Sequence, residues 1–200
     1  MLTTLAALKP GFENSVMQAQ ATFRAVLHAF AYPGRVMEAG ADLAPPPPLH
    51  QATAAIGLTL FDMDTPVWLD EAAATPEVEA FFRFHCGCPV SPSPERARFA
   101  IIADASGLRA LDHFDCGTDE APDRSTTVII QVARFLQGSG GVVLTGPGIK
   151  DTQSILVDGV PVEFWRQRQA QRNLFPRGID IIFTVDHRLV GLPRTTGVDV

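Results

Sequence analysis

The sequence lacks a long hydrophobic run. Its longest stretch without formally charged side chains, residues 43–61, contains four consecutive prolines and several polar residues, so it does not fit a membrane-spanning helix. Residues 1–9 lack a basic segment followed by a sustained apolar run and a cleavage site, which argues against a secretory signal. We therefore expect a cytoplasmic protein with no membrane partner.

Lysine is scarce, and positive charge as a whole is limited. The chain has 16 basic side chains, of which only Lys9 and Lys150 are lysines, and its formal net charge is −6. The arginines are scattered rather than gathered in a basic stripe, so we do not expect a nucleic-acid partner. The preference for arginine fits both bidentate recognition of anions and a biased genomic composition, and both explanations stay open.

Cysteine is scarce as well. The three thiols cannot all pair within the chain, and without an export signal we expect them to be reduced. The segments His85-Cys86-Gly87-Cys88 and His113-Phe114-Asp115-Cys116 carry imidazole and thiol groups that could form a tetrahedral zinc site. Their spacing matches no common structural-zinc pattern, and small buried thiols are frequent in cores. No metal is predicted.

The first amphipathic segment predicts a helix. Ser15 and Gln18 have the spacing of a capping box, and Pro33 predicts that the helix ends near Ala31. Apolar residues recur along it at helical spacing and form the stripe that we expect to face the core. The stripe consists of Val16, Ala19, Phe23, Val26, Leu27 and Phe30.

The remaining pattern predicts one α/β domain that spans residues 1–200. Continuous apolar, β-branched runs predict strands covered on both faces. They lie at residues 66–69, 98–103, 126–132, 141–145 and 179–185, and helical segments are predicted at residues 50–61, 75–85, 106–114 and 162–174. This alternation favours a three-layer α/β/α sandwich with a mostly parallel or mixed central sheet.

A glycine-rich turn follows one of these strands. Gly146 and Gly148 could let consecutive backbone N–H groups form an anion-binding concavity. A phosphate-binding Walker loop needs glycine directly before its lysine, whereas Lys150 follows Ile149. A plain structural turn is the alternative.

Three further segments place arginine beside a predicted strand. They are Arg124-Ser125-Thr126, Arg177-Gly178-Ile179-Asp180 and Arg194-Thr195. Each could offer a guanidinium or hydroxyl group to an oxyanion or to another subunit. Alternatively, the arginines form internal ion pairs, for example Arg124 with Asp119, Glu120 or Asp123. The cationic helix at residues 163–172 also has two interpretations. Trp165 could face a partner, or it could be buried while the arginines face water.

Together these segments resemble a known family. Residues 12–34, 117–118, 122–127, 146–149, 175–180 and 192–196 are similar, in order and spacing, to the H subunit of the bacterial carbon–phosphorus lyase system. The resemblance implies a fold like that of pyridoxal-phosphate-dependent transferases, without a working cofactor site. Schiff-base catalysis needs a suitably placed lysine, and neither Lys9 nor Lys150 is convincingly placed.

The resemblance also implies a role in organophosphonate catabolism. Members of the family join the G, I and J subunits in a two-fold symmetric core complex. That complex converts ATP and an alkylphosphonate into ribose 1-phosphonate 5-triphosphate and releases adenine. We therefore expect a subunit with an assembly or co-catalytic role, a homodimer in isolation, and no turnover by the lone chain. The resemblance assigns no catalytic residue.

Two other functions are also compatible with these residues. One is a self-contained enzyme, either a pyridoxal-dependent transferase or a phosphate-handling enzyme that uses Arg124, Arg177 or Arg194. The other is a zinc-stabilised binding module built on the cysteine segments.

Overall fold

The computed structural model describes residues 8–108 and 110–199 of the chain. Within these residues four helices alternate with nine strands. Their order is α1 (Ser15–Ala31), β1 (Val36–Glu38), α2 (Gln51–Leu60), β2 (Val67–Leu69), α3 (Pro76–Cys86), β3 (Phe99–Ile102), β4 (Thr127–Gln131), β5 (Arg134–Thr145), β6 (Gln153–Asp158), α4 (Val162–Gln171), β7 (Asp180–Val185), β8 (Arg188–Leu192) and β9 (Gly197–Asp199). None of the helices in the described part of the chain has the length and apolar character needed to cross a membrane.

The strands form a mixed central sheet and a smaller antiparallel one. The central sheet has the order β1-β8-β7-β4-β3-β2. Strands β2, β3, β4 and β7 pair in parallel, whereas β8 is antiparallel to both of its neighbours, β1 and β7. The smaller sheet has the order β6-β5-β9. The predicted mixed α/β fold is thus confirmed.

The central sheet is covered on both faces, as its continuous apolar strands predict. One face packs against α1, α2 and α3 through side chains such as Ile101, Ile129 and Ile182. The other face packs against α4 and the smaller sheet through Ile102 and Ile130. The layer on this second face is therefore partly β-structure, and the separate small sheet was not expected from the sequence.

The helix predicted at residues 106–114 does not form. Two short 3-10 turns, Ala105–Gly107 and Leu111–His113, occupy this stretch instead. The Asp104 carboxylate accepts hydrogen bonds from both the backbone N–H and the hydroxyl of Ser106. Such local bonding stabilises a turn in competition with a helix, and Gly107 disfavours helix further.

The bounds predicted for α1 are confirmed, but its cap lies one residue earlier. Asn14 Oδ1 accepts a hydrogen bond from the Met17 backbone N–H, at 3.1 Å, and Gln18 Oε1 accepts one from the Asn14 N–H, at 2.8 Å. The N-cap is therefore Asn14, and Ser15 is the first helical residue.

The face that α1 buries also differs from the predicted stripe. Thr22, Val26 and Ala29 are its buried residues, whereas Val16, Phe23 and Leu27 are 75%, 47% and 51% exposed. Small residues set this orientation, because the α1 backbone lies directly on β8. A Cβ at Gly191 would lie only 2.6 Å from the Ala29 carbonyl oxygen, so the helix turns its small side chains inward.

Candidate functional site

The predicted motif segments meet at one edge of the central sheet. Residues 122–126 lead into β4, and residues 175–179 lead into β7. Residues 193–196 follow β8, whose antiparallel direction brings its carboxyl end to the same edge. The candidate site therefore lies at the amino ends of the parallel strands.

Arg194 is the centre of this site. Its Nη2 lies 2.5 Å from Asp180 Oδ2, its Nε lies 3.2 Å from both Asp180 carboxylate oxygens, and its backbone N–H donates to Oδ1 at 2.7 Å. Nη1 donates to the Pro122 carbonyl oxygen and Nη2 also donates to the Ser125 hydroxyl, both at 2.5 Å. We call Arg194, Asp180, Ser125 and Pro122 the Arg194 hub. Since each guanidinium nitrogen has an internal partner, the hub ties the three loops together.

The other predicted residues of these loops have separate contacts. The hydroxyl of Thr126 is buried and donates to the Ala97 carbonyl oxygen at 2.7 Å. Arg177 pairs with Asp119, their nearest N and O atoms being 3.1 Å apart. The backbone oxygen of Arg124 accepts from the Arg98 guanidinium, while the Arg124 side chain is exposed. The structure thus brings Ser125, Asp180 and Arg194 together and leaves the Arg124 side chain outside the hub.

The 146–148 turn packs beside the hub. Gly148 has a positive φ of 82°, and a Cβ there would collide with the carbonyl oxygen of Ala31 at the end of α1. A Cβ at Gly146 would lie 3.0 Å from the Thr195 carbonyl oxygen. Both glycines are therefore needed for close backbone approach, and they connect the end of α1 to the segment after β8.

Sequence reasoning missed the burial of Arg168. Trp165 is buried, as one of the two interpretations held, but Arg168 on the same helix is only 1% exposed. Its Nη2 donates to the Pro193 carbonyl oxygen at 2.5 Å, while its Nε and Nη1 have no hydrogen-bond partner among the described residues. The spacing of three residues from Trp165 is the signal that places both side chains on the inner face of α4.

Burial dominates the electrostatics of Arg168. Removal from water lowers the pKa of its guanidinium to about 10; the carboxylate of Asp180 opposes this shift and the like charge of Arg194 adds to it. The pKa shift shows that Asp180 only partly compensates a cation taken out of water.

The two cysteine segments lie apart. Cys86 and Cys88 pack with the helical layer, whereas Cys116 packs on the opposite face of the sheet. Burial raises the pKa of the Cys86 thiol to about 12 and also raises those of Cys88 and Cys116. Within the described residues, no group of three or more histidine, cysteine or acidic side chains is arranged to hold a metal ion.

The opposite edge of the sheet is acidic. The Asp70 carboxylate, just after β2, accepts three backbone N–H groups, from Ala73 at 2.8 Å and from Ala103 and Asp104 at 3.0 Å each. Nearby, His50 and Asp104 line a pocket of about 320 Å³. His50 Nδ1 lies 3.2 Å from the Thr184 carbonyl oxygen, and because a carbonyl only accepts, this nitrogen carries the proton.

Comparison with known proteins matches almost the whole chain. Residues 10–199 fit the model of a family described as bacterial phosphonate metabolism protein (PhnH). The chain belongs to the PhnH family. All the segments that form the hub and the adjoining turn lie within the matched region.

Two curated relatives agree with membership of the PhnH family. The first is "Alpha-D-ribose 1-methylphosphonate 5-triphosphate synthase subunit PhnH" of Rhizobium meliloti (strain 1021), 38% identical over 94% of each chain. The second is "Putative C-P lyase subunit protein HtxG" of Stutzerimonas stutzeri, 32% identical over 90% of this chain and 86% of the relative. Both relatives are named as subunits, and neither name describes a self-contained transferase or a zinc module.

Proposed function

We propose that this chain is a subunit of a carbon–phosphorus lyase core complex in organophosphonate catabolism. The complex would convert ATP and an alkylphosphonate into ribose 1-phosphonate 5-triphosphate and release adenine, with G, I and J subunits as the partners of this chain. The observation that carries the proposal is similarity along 94% of both chains to a relative named as a subunit of the corresponding synthase. The work of the complex would take place in the cytoplasm.

An exposed apolar surface on α1 supports a role in assembly. Val16, Met17, Phe23 and Leu27 project from this helix and are largely exposed; we call them the α1 surface. Contiguous exposed apolar side chains commonly mark protein–protein contacts. We infer that the α1 surface is covered in the complex, and that a second copy of the chain covers it in the isolated homodimer.

The hub supports a structural rather than a reactive role for its arginine. Each nitrogen of the Arg194 guanidinium already has a partner within the chain. In our proposal the hub shapes one edge of the subunit, and the lone chain has no complete reactive centre.

The placement of the lysines supports a cofactor-free subunit. A pyridoxal phosphate aldimine needs a lysine inside the site, whereas Lys9 and Lys150 are both exposed and neither lines a described pocket. We propose that the finer resemblance is to the α/β/α fold of pyridoxal-phosphate-dependent transferases without their cofactor. An absorbance band from bound pyridoxal phosphate in the purified chain would overturn this part.

Co-purification tests the proposed assembly. A tagged chain, expressed together with the G, I and J subunits, should retain them on an affinity column. Phe23→Asp puts a charge on the α1 surface, and we expect it to abolish retention without unfolding the chain, because this side chain is half-exposed in the free subunit. Val162→Asp is the matched control, since Val162 is exposed at the start of α4, where an acidic residue suits the helix dipole.

The outcome separates assembly from a solitary role. If the unmodified chain emerges alone from cells that express all four subunits, the proposal fails. If Val162→Asp abolishes retention as fully as Phe23→Asp, the assignment of the α1 surface fails while membership of the complex stands.

A further inference from the structure

The loops around the hub leave an open pocket of about 320 Å³, lined by Pro147, Arg172, Phe175, Arg194 and Thr195. We propose that this pocket binds a doubly charged phosphoryl or phosphonyl group. The principal anion-binding side chain is Arg172, which was not among the anion-binding candidates predicted from the sequence.

The charges around the pocket favour an anion. Arg172 and Arg194 place two positive charges in the pocket wall, Arg168 lies behind it next to Pro193, and Asp180 supplies the carboxylate that pairs with Arg194. This excess occurs in a chain whose formal net charge is −6. None of the residues that line the pocket is acidic, so nothing in its wall repels an anion.

Arg172 is the cation that remains available. Arg194 is bound by the hub, and Arg168 is buried behind the segment that follows β8, where it contacts Pro193. Arg172, in contrast, is exposed, and its guanidinium has no hydrogen bond or ion pair with any described residue. A guanidinium offers a fork of N–H donors that fits the oxygens of a phosphoryl group.

A glycine leaves space for this guanidinium. A Cβ at Gly197 would lie 2.9 Å from Arg172 Nη1 and 2.8 Å from Thr145 Oγ1. A side chain at position 197 would therefore displace the guanidinium, and glycine keeps the space for it. The exposed Thr195 adds a hydroxyl donor on the same wall.

The rest of the wall suits an organic substituent. Phe175 is largely exposed and lies with Pro147 at the pocket, so the two apolar residues could contact an alkyl group on phosphorus. The buried charge of Arg168 acts without contact, because charges interact strongly across the low-dielectric interior. The geometry therefore fits phosphate and alkylphosphonate alike.

Calorimetric titration of the full-length chain tests the site. The probes are methylphosphonate, inorganic phosphate and sulfate, at constant ionic strength. We expect saturable binding of the phosphorus anions, weakened about ten-fold or more by Arg172→Gln, because a hydrogen bond to a charged group contributes about 1.5–3 kcal/mol. Arg166→Gln is the matched control, since Arg166 lies on the exposed side of α4 and pairs with Glu163.

Each outcome decides for or against the site. Stronger binding of methylphosphonate than of phosphate identifies the alkylphosphonate as the ligand, and equal binding identifies a general phosphoryl site; both support the inference. Absence of saturable binding, equal binding of all three anions, or equal weakening by Arg166→Gln overturns it. The choice of methylphosphonate rests on the proposed function, but the site does not, since the subunits should still co-purify with Arg172→Gln.

Discussion

The two edges of the central sheet differ in charge and in how their polar groups are used. At the carboxyl ends of the parallel strands, the Asp70 carboxylate accepts backbone N–H groups from the loops after β2 and β3. Asp104, one of these donors, lines a pocket with His50. At the amino ends, Arg194 and Asp180 join loops that are distant in sequence. Open α/β sheets usually bind ligands at the carboxyl ends, yet the arginine-bearing segments that resemble the family lie at the amino ends.

The two edges are therefore held together by different interactions. Asp70 joins the loops after two adjacent strands through neutral backbone donors, whereas the hub makes three loops depend on one ion pair. We therefore expect substitutions at the amino edge to have larger structural effects than comparable ones at the carboxyl edge.

The largest effect is expected from Asp180→Asn. The Arg194 and Asp180 side chains are only 15% and 21% exposed, so losing the carboxylate leaves Arg194 and Arg168 without their counter-charge. Breaking a buried pair in this way costs about 3 kcal/mol, measurable by urea unfolding. Asp158→Asn is the control, because the Arg134–Asp158 pair is 56% and 48% exposed and such pairs contribute about 0–1 kcal/mol. Equal losses in the two variants would contradict the role of the hub.

A smaller effect is expected at the carboxyl edge from Asp70→Ala. This change removes the acceptor of three backbone N–H groups and should lower the free energy of unfolding by about 2 kcal/mol. Glu71→Ala is the adjacent control, since Glu71 is exposed and surface substitutions usually change stability by less than about 0.5 kcal/mol. If Asp70→Ala lowered the free energy of unfolding more than Asp180→Asn does, the carboxyl edge would be the more sensitive one, contrary to our expectation.

The smallest effect, with the opposite sign, is expected from Arg168→Met. Replacing a buried, incompletely partnered cation by an apolar side chain of similar size should stabilise the free chain by about 1 kcal/mol. The Pro193 carbonyl keeps a partner, because it also accepts from the Thr196 N–H at 2.9 Å. A variant less stable than the parent chain at neutral pH would show that the charge of Arg168 is fully compensated.

The stability difference between Arg168→Met and the parent chain should depend on pH. Because the pKa of Arg168 is lower in the folded chain, at about 10, than in the unfolded chain, the folded state binds fewer protons above that pH. The contribution of Arg168 to the free energy of unfolding therefore becomes more favourable to the folded chain as the pH increases through about 10. The stability difference between Arg168→Met and the parent chain should then narrow in alkaline solution, whereas a constant difference would refute the direction of the shift.

Much of the fold follows from local sequence pattern. The buried parallel strands were predicted because their apolar runs are continuous, and α1 was predicted because proline stops it at a defined place. The buried face of α1 was predicted only in part, at Val26 and Phe30, since it depends on the close approach of Gly191 to Ala29. That approach is a tertiary contact, and the larger apolar residues gave the opposite indication.

The segments that form the candidate site were predicted, but the contact between Asp180 and Arg194 was not. Asp180 and Arg194 come together because β7 and β8 form an antiparallel pair in which Ile181 lies opposite Leu192. Since β8 was not predicted, their contact could not be derived. Arg168 and Arg172 were missed for a related reason, because the small sheet that positions α4 depends on β9 at the end of the chain.

The central claim is that this chain acts only as part of an assembly. The most direct test is adenine release from ATP and methylphosphonate, measured for the purified chain alone and after addition of the G, I and J subunits. We predict no release by the lone chain, and release by the combined subunits that is lost when this chain is omitted. Adenine release by the lone chain would contradict the account.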